Sequence, residues 1–182
     1  MACDVSLGRK VPCKDVLGGI TKVYFVNFGD LGTVTFNAGD EISNMKGTAS
    51  AYQYDVKGSS SLEQAITSSR ENGTTFFEQT ITLSLPKLSK EDNKEVKLLS
   101  YGRPHIVVED YNGNCMMCGV DFGCEVTGGS IATGAAMGDL SGYSLTLVGT
   151  EKMPANFIES AVAGDPFAGM AGTFTIVQGT NS

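Results

Sequence analysis

The chain has 182 residues, 41% of them hydrophobic, with 23 glycines, 5 prolines, no tryptophan and a formal charge of −7. That length predicts a single domain with enough core to fold without staples. The acidic balance, with no cluster of Lys and Arg, argues against nucleic-acid binding, which needs cations to neutralise phosphates.

Residues 1–19 read as a polar arm carrying Cys3 and Cys13. Its opening, MACDVSLGRK, has no apolar h-region and so does not read as a secretory signal. Nothing in the chain approaches the roughly eighteen apolar residues of a membrane span. Five cysteines, an odd number, then predict free thiols in a reducing cytosol. ITKVYFVNFG (20–29) is rich in β-branched and aromatic residues and predicts a strand. TVTFNAG (33–39) follows as a returning strand, and GTASAYQYDVKG (47–58) as another between glycines.

The centre predicts a hairpin. SSLEQAITSS (60–69) leads through Asn72-Gly73, a turn dipeptide, into FFEQTITLSL. In that run Phe77, Gln79, Ile81, Leu83 and Leu85 share one face, and Glu78, Thr80, Thr82 and Ser84 the other, so the first face should be buried. One helix is expected over about 89–101, with Ser89 as N-cap and Glu91 and Asp92 in the first turn. Val96, Leu98 and Leu99 form its apolar stripe, Leu88 precedes it and Gly102 ends it. RPHIVVEDY (103–111), CMMCGVD (115–121), CEVTGGSIATG (124–134) and GYSLTLVGTEK (142–152) continue the β pattern. An irregular, small-residue tail ends in the strand TFTIVQG (173–179). The expected organisation is one domain over 1–182: an arm (1–19), a β core with its helix (20–152) and a C-terminal extension with a last strand (153–182).

Chemistry is sparse. DYNGNCMMCGVDFGC (110–124) holds a C-x-x-C, the spacing of a zinc knuckle or redox pair. With Asn112-Gly113 as a two-residue hairpin loop, Asp110 would oppose Cys115, Val108 would oppose Met117 and Val107 would oppose Cys118. Neighbours in a strand alternate faces, so Cys115 and Cys118 point to opposite sides and cannot converge on one ion. Met117 then shares the face of Cys115, and Met116 that of Cys118. DYNGN resembles the start of a calcium loop, but Cys115 stands where that loop needs glycine and Asp121 where it needs a bidentate Glu. The one histidine, His105, has no nucleophile or second histidine in a known arrangement. GGSIATGAAMGDLSG (128–142) lacks the residues of a P-loop or dinucleotide turn and reads as a loop between strands. The carboxylates at Glu63, Glu71, Glu78, Glu109 and Asp110 form no recognisable pair. The expectation is no catalytic residue, no cofactor and no metal.

The run ITLSLPKLSKEDNKEVKLLSYGR, strand into helix, and the segment GDLSGYSLTLVGTEKMPANF resemble the virion proteins of tailed bacteriophages. The similarity is to tail tube (major tail) and neck-ring proteins, and to small structural proteins of crAss-like phages of Bacteroidetes, over roughly residues 14–157. The resemblance implies a mainly β fold, a sandwich or barrel of the tail tube type with one flanking helix and extended N- and C-terminal arms. It implies a non-enzymatic role in the virion, with assembly in the host bacterial cytoplasm. Its partners would be copies of itself in a six-fold ring, adjacent tail or neck proteins, and DNA passing through the lumen unbound, with no membrane. The hairpin residues Glu71, Asn72, Gly73, Glu78, Thr80 and Thr82 would serve assembly or line the lumen, with Asn112 and Gly113 as a turn. A capsid decoration protein is the alternative, followed by a small hydrolase or a carbohydrate-binding module.

Overall fold

Two runs in the chain are apolar without alternation, Val23-Tyr24-Phe25-Val26 and Ile106-Val107-Val108. A strand covered on one face alternates; a continuous run must be covered on both. In the computed structural model, which describes residues 5, 7–56 and 58–179, all seven are buried. They lie in β1 (Ile20–Val26) and β7 (His105–Asp110). The other described elements are β2 (Val34–Phe36), β3 (Ile42–Met45), β4 (Thr48–Asp55), β5 (Ser61–Ser69), β6 (Thr74–Pro86), α1 (Lys90–Tyr101), β8 (Cys115–Cys118), β9 (Glu125–Ala132), β10 (Gly142–Glu151), β11 (Asn156–Phe157) and β12 (Thr173–Gln178). The protein is thus mainly β with one helix and several sheets. A six-stranded sheet runs β11-β8-β7-β1-β4-β12, a four-stranded sheet β5-β6-β10-β9, and β2 and β3 form a small third sheet.

One face of the six-stranded sheet meets the four-stranded sheet. Val23, Phe25, Ile106, Val108 and Cys118 join Ile81, Leu83, Tyr143, Leu145 and Leu147 in one apolar cluster. Helix α1 adds Val96 and Leu99 to it. The opposite face presents Tyr24, Val26, Val107, Cys115 and Met117. These are covered by Leu31, Ile42 and Met45 around the β2–β3 sheet and by Ile158 and Phe167 of the C-terminal segment. Burying both faces follows from the apolar area that must leave water, about 25 cal/mol per Å².

The C-terminal extension, expected as an outreaching arm, is instead built into its own chain. Ile158 donates to the Cys115 carbonyl and Glu159 to that of Ile42, both at 3.0 Å. β12 then pairs in parallel with β4 from Thr173↔Thr48 to Gln178↔Gln53. The physical reason is the uncovered second face of β1 and β7, which residues 158–176 complete. A buried carboxylate helps hold this strap: Glu109 Oε2 accepts from the Tyr24 hydroxyl at 2.9 Å, and both its oxygens lie 3.2 Å from the Gly164 amide. The N-terminal arm differs. Residues 7–19 are all exposed and irregular, and the arm meets the body at Leu17, whose N–H and C=O both bond the Asn112 side chain. The expectation for Cys3 falls outside the described residues.

Several local expectations shift. The predicted strand 33–39 shrinks to Val34–Phe36 and pairs with β3, which has no strong strand signal. Gly128–Ala132 belongs to β9, so the glycine-rich loop is only 133–141. Ser89 caps α1 by accepting from the Asp92 amide at 3.0 Å. Leu98, however, is half-exposed, because two residues past Val96 is over half a turn around the helix. Gly102 ends the helix with extended backbone (φ −94) rather than a left-handed turn.

Tyr24→Phe removes the hydroxyl donor to buried Glu109. It should cost about 1–3 kcal/mol in urea unfolding with an unchanged slope and speed proteolysis within 159–170. A change below about 0.5 kcal/mol, the scatter of neutral substitutions, would contradict the strap's dependence on this carboxylate.

Candidate functional site

The four-stranded sheet has one face in the core and one turned away from it. β5 and β6 pair without interruption from Ser61↔Thr82 to Ser69↔Thr74, and β10 pairs with β6 from Gly142↔Pro86 to Glu151↔Phe77. Alternation sends Gln79, Ile81 and Leu83 inward, where all three are buried. It sends Glu78, Thr80, Thr82 and Ser84 outward, as the sequence predicts. The register adds neighbours that sequence reasoning did not place there. On the outward face Ala65 and Thr150 flank Glu78, Glu63 and Val148 flank Thr80, and Ser61 and Thr146 flank Thr82. Glu125 of β9 stands beside Val148, and Ser130 beside Ser144. The result is a hydroxyl-rich surface bearing Glu63, Glu78 and Glu125. No Lys or Arg occurs anywhere in the four strands. The signal that would have found Glu63 and Glu125 is the strand register, which pattern reading of single strands does not supply.

Beyond Phe77 the hairpin leaves the sheet, because β10 ends opposite that residue. The tip is a two-stranded ribbon, a form marginal in water by itself. Its turn falls within RENGTT (70–75), where the sequence places it around Asn72-Gly73. Ser69↔Thr74 is the last rung, so Arg70, Glu71, Asn72 and Gly73 all form the loop, and of these only Gly73 is left-handed (φ 63). A two-residue turn of that type needs positive φ at both positions, which Asn72 does not adopt. Glu71, Asn72 and Gly73 are exposed at this tip, separate from the Glu78, Thr80 and Thr82 face.

The cysteine hairpin is likewise one residue out of the expected register. Glu109 opposes Cys115, Val107 opposes Met117 and Ile106 opposes Cys118. The loop is Tyr111-Asn112-Gly113, closed by Asp110 N–H to the Asn114 carbonyl at 3.0 Å. Gly113 is left-handed (φ 81). The Asp110 carboxylate accepts from the amides of Asn112 and Asn114, each at 2.8 Å, and from both Asn side chains, which favours the longer loop. Burial raises the Asp110 pKa, but these donors outweigh it and hold the group below its ordinary value. The facing of the thiols survives the shift, since alternation within β8 alone decides it. Cys115 and Met117 sit in the second cluster, Cys118 in the first with Met116 against it. Burial pushes the thiols of Cys115 and Cys124 up to about 12 and that of Cys118 well above its ordinary value. Among the described residues no group of three or more His, Cys, Asp or Glu is arranged to hold a metal.

His105 is buried, and both ring nitrogens have backbone partners. Nε2 accepts from the Gly29 amide at 3.1 Å, so Nδ1 carries the proton and donates to the Gly119 carbonyl at 2.5 Å. Burial lowers its pKa, the Arg103 charge adds to this, and the bond to Gly119 and the charge of Asp30 oppose it. Phe28 stacks on the ring with centroids 5.0 Å apart, and Arg103 lies over Phe28. Glu151, also buried, accepts from the amides of Asp121 (3.1 Å) and Phe122 (2.8 Å). These groups fasten loops to strands. No helix among the described residues is long and apolar enough to cross a membrane.

No protein-family model, no curated protein and no solved structure matches this chain.

Two measurements follow from these burials. Of the cysteines at 13, 115, 118 and 124, only the exposed Cys13 should label in the native protein. The other three should react at least about 10³-fold more slowly, at the pace of unfolding; fast labelling of any of them contradicts the packing. Glu151 carries a raised pKa, caused first by burial against the pull of the Phe122 amide. Its contribution is therefore present below the ordinary value of 4.5 and lost as pH rises through the folded value. Glu151→Gln keeps the acceptor without the charge. The stability of this variant minus that of the wild type should rise with pH above 4.5, by at most about 1.4 kcal/mol per unit, and then level off. A difference that falls with pH would contradict the assignment.

Proposed function

We propose that this protein is a structural component of a tailed-phage virion, a tail tube or neck-ring subunit with no catalytic role. In this reading the two large sheets are a sandwich of the tail tube type, and copies close into rings that stack into a conduit for DNA. The observation that carries it is the outward face of the four-stranded sheet: Ser, Thr and Glu side chains with no cation in any of its strands. A duplex moving through a lumen has to be repelled weakly and bound nowhere. Carboxylates at Glu63, Glu78 and Glu125 supply the repulsion, and hydroxyls keep the wall wet. The resemblance of 81–103 and 138–157 to phage tail segments points the same way. The protruding tip at Glu71-Asn72-Gly73 gives each copy a finger that a neighbour can brace, which suits a ribbon unstable on its own. Ring closure needs one surface to meet a different surface of the next copy, a heterologous contact.

Negative-stain imaging of the purified full chain should show closed rings, six-fold, or short tubes. Trimers would favour the capsid decoration role, and a monomer at micromolar concentration would contradict both. The lumen assignment has its own test in the full-length variant with Glu63→Lys, Glu78→Lys and Glu125→Lys. Wild type should leave duplex DNA unshifted in a gel at about 0.1 M salt, whereas the variant retards it, and added salt reverses the retardation. DNA retention by wild type would count against a passive conduit.

A further inference from the structure

The N-terminal arm has the pattern of a strand, but its described residues pair with no strand. Val5, Leu7, Val11 and Cys13 share one parity, broken by Arg9, while Gly8, Lys10 and Lys14 hold the other. Val5, Leu7 and Val11 are 94%, 86% and 97% exposed. Among the described residues of the arm, the hydrogen bonds to the body are those of Leu17 with Asn112. From Leu17 back to Val5 an extended chain reaches about 40 Å at roughly 3.3 Å per residue, enough to lie along another molecule.

The same fold leaves one long sheet edge bare. Of the four edges of the two large sheets, β11 has only two residues, and β9 is blunted by a bulge opposite Thr146/Leu147 and by Gly128-Gly129. β12 has six residues and no charge. β5 has nine, in unbroken register, with no Pro, Lys or bulge, and pairs on one side only. Pro, Lys and bulges are devices that normally protect an edge, and β5 has only the charge of Glu63. Its inward parity ends in Ile66, 70% exposed, an apolar residue waiting for cover. Charge selects the same edge. Residues 5–11 carry Arg9 and Lys10 and no acid within an acidic chain, and Glu63 on β5 and Glu78 beside it are acidic.

We infer that residues 5–11 of one chain add as a strand to the free edge of β5 in a second copy. Main-chain hydrogen bonds satisfy the edge, Val5, Leu7 and Val11 lie beside Leu62 and Ile66, and Lys10, of the other parity, takes the face of Glu63 and Glu78. Pro12, with no N–H to give, ends the added strand. The contact is head-to-tail, so it propagates from copy to copy and closes where the rotation allows. It stands apart from the tube reading, since any head-to-tail assembly would satisfy it.

Disulfide trapping in the full chain tests this directly. In a Cys3→Ser, Cys13→Ser background, Val11→Cys is the arm's thiol, and Leu62→Cys or Ile66→Cys, on the same face of β5, is introduced. One of the two variants should give dimers and higher multimers on mild oxidation, because paired strands bring Cα atoms within disulfide reach. Mixing isotope-labelled and unlabelled chains should show the link between molecules. A link confined to single chains, or none with either variant, overturns the inference. Val5→Asp with Leu7→Asp and Val11→Asp leaves the body untouched. It should keep the melting temperature and raise the concentration for half-assembly roughly tenfold or more. Assembly unchanged by that variant, or a wild-type chain that stays monomeric, also overturns it. Arm-to-edge links in open filaments would keep the inference and remove the tube.

Discussion

The structure depends on one sheet being dry on both sides. Val23 to Val26 and Ile106 to Val108 can stay out of water only if two separate layers cover them. The four-stranded sheet with α1 provides one layer. The β2–β3 sheet and the C-terminal strap provide the other. Each cover is therefore obligatory, and the chain's order follows from it: strands for the first cover fill the middle of the sequence, and the second is drawn from residues around 31–45 and 158–176. The strap comes last in sequence and closes the second face.

Apolar contact alone does not fix where a cover sits, since it is non-directional. Buried polar groups supply the register here. Glu109 joins Tyr24 to Gly164, and Gln79 accepts from Gly119 and donates to the Met153 carbonyl. Glu151 holds 121–122, and His105 ties Gly29 to Gly119. Each joins a strand residue to the backbone of a loop. Among the described residues no buried side-chain polar atom lacks a partner, so these groups stabilise by being satisfied. Both nitrogens of His105, Oε1 of Glu151 and both polar atoms of the Gln79 amide are engaged by backbone.

Much of this was legible because periodicity is local. The inward and outward faces of 77–85, the helix near 89–101 with its Ser89 cap, and the opposed Cys115 and Cys118 follow from alternation and capping alone. Turn length was not legible. In the cysteine hairpin the Asn-Gly dipeptide suggested two residues, yet Gly113 serves as the left-handed end of a longer loop, which the carboxylate of Asp110 selects. The strap was missed because ANFIESAVAGDPFAGMAG has no period of either kind; its apolar residues meet a face that exists only once β1 and β7 are paired. The acidic face was half-visible: Glu78 could be placed from its own strand, whereas Glu63 and Glu125 joined it through register with β6 and β10.

The chain therefore presents a firmly keyed body with three unsatisfied features: an acidic hydroxyl face, a polar ribbon reaching past its sheet, and an arm patterned as a strand. Among the described residues none of the three is covered by the rest of the chain, and an assembly of copies, as proposed, would cover each. The most direct test is a reconstruction of the assembled particle by electron cryomicroscopy at side-chain resolution. The account predicts a closed ring with Glu63, Glu78 and Thr82 directed at an open axial channel. A particle with that face buried between subunits, or turned to the outside, would contradict it.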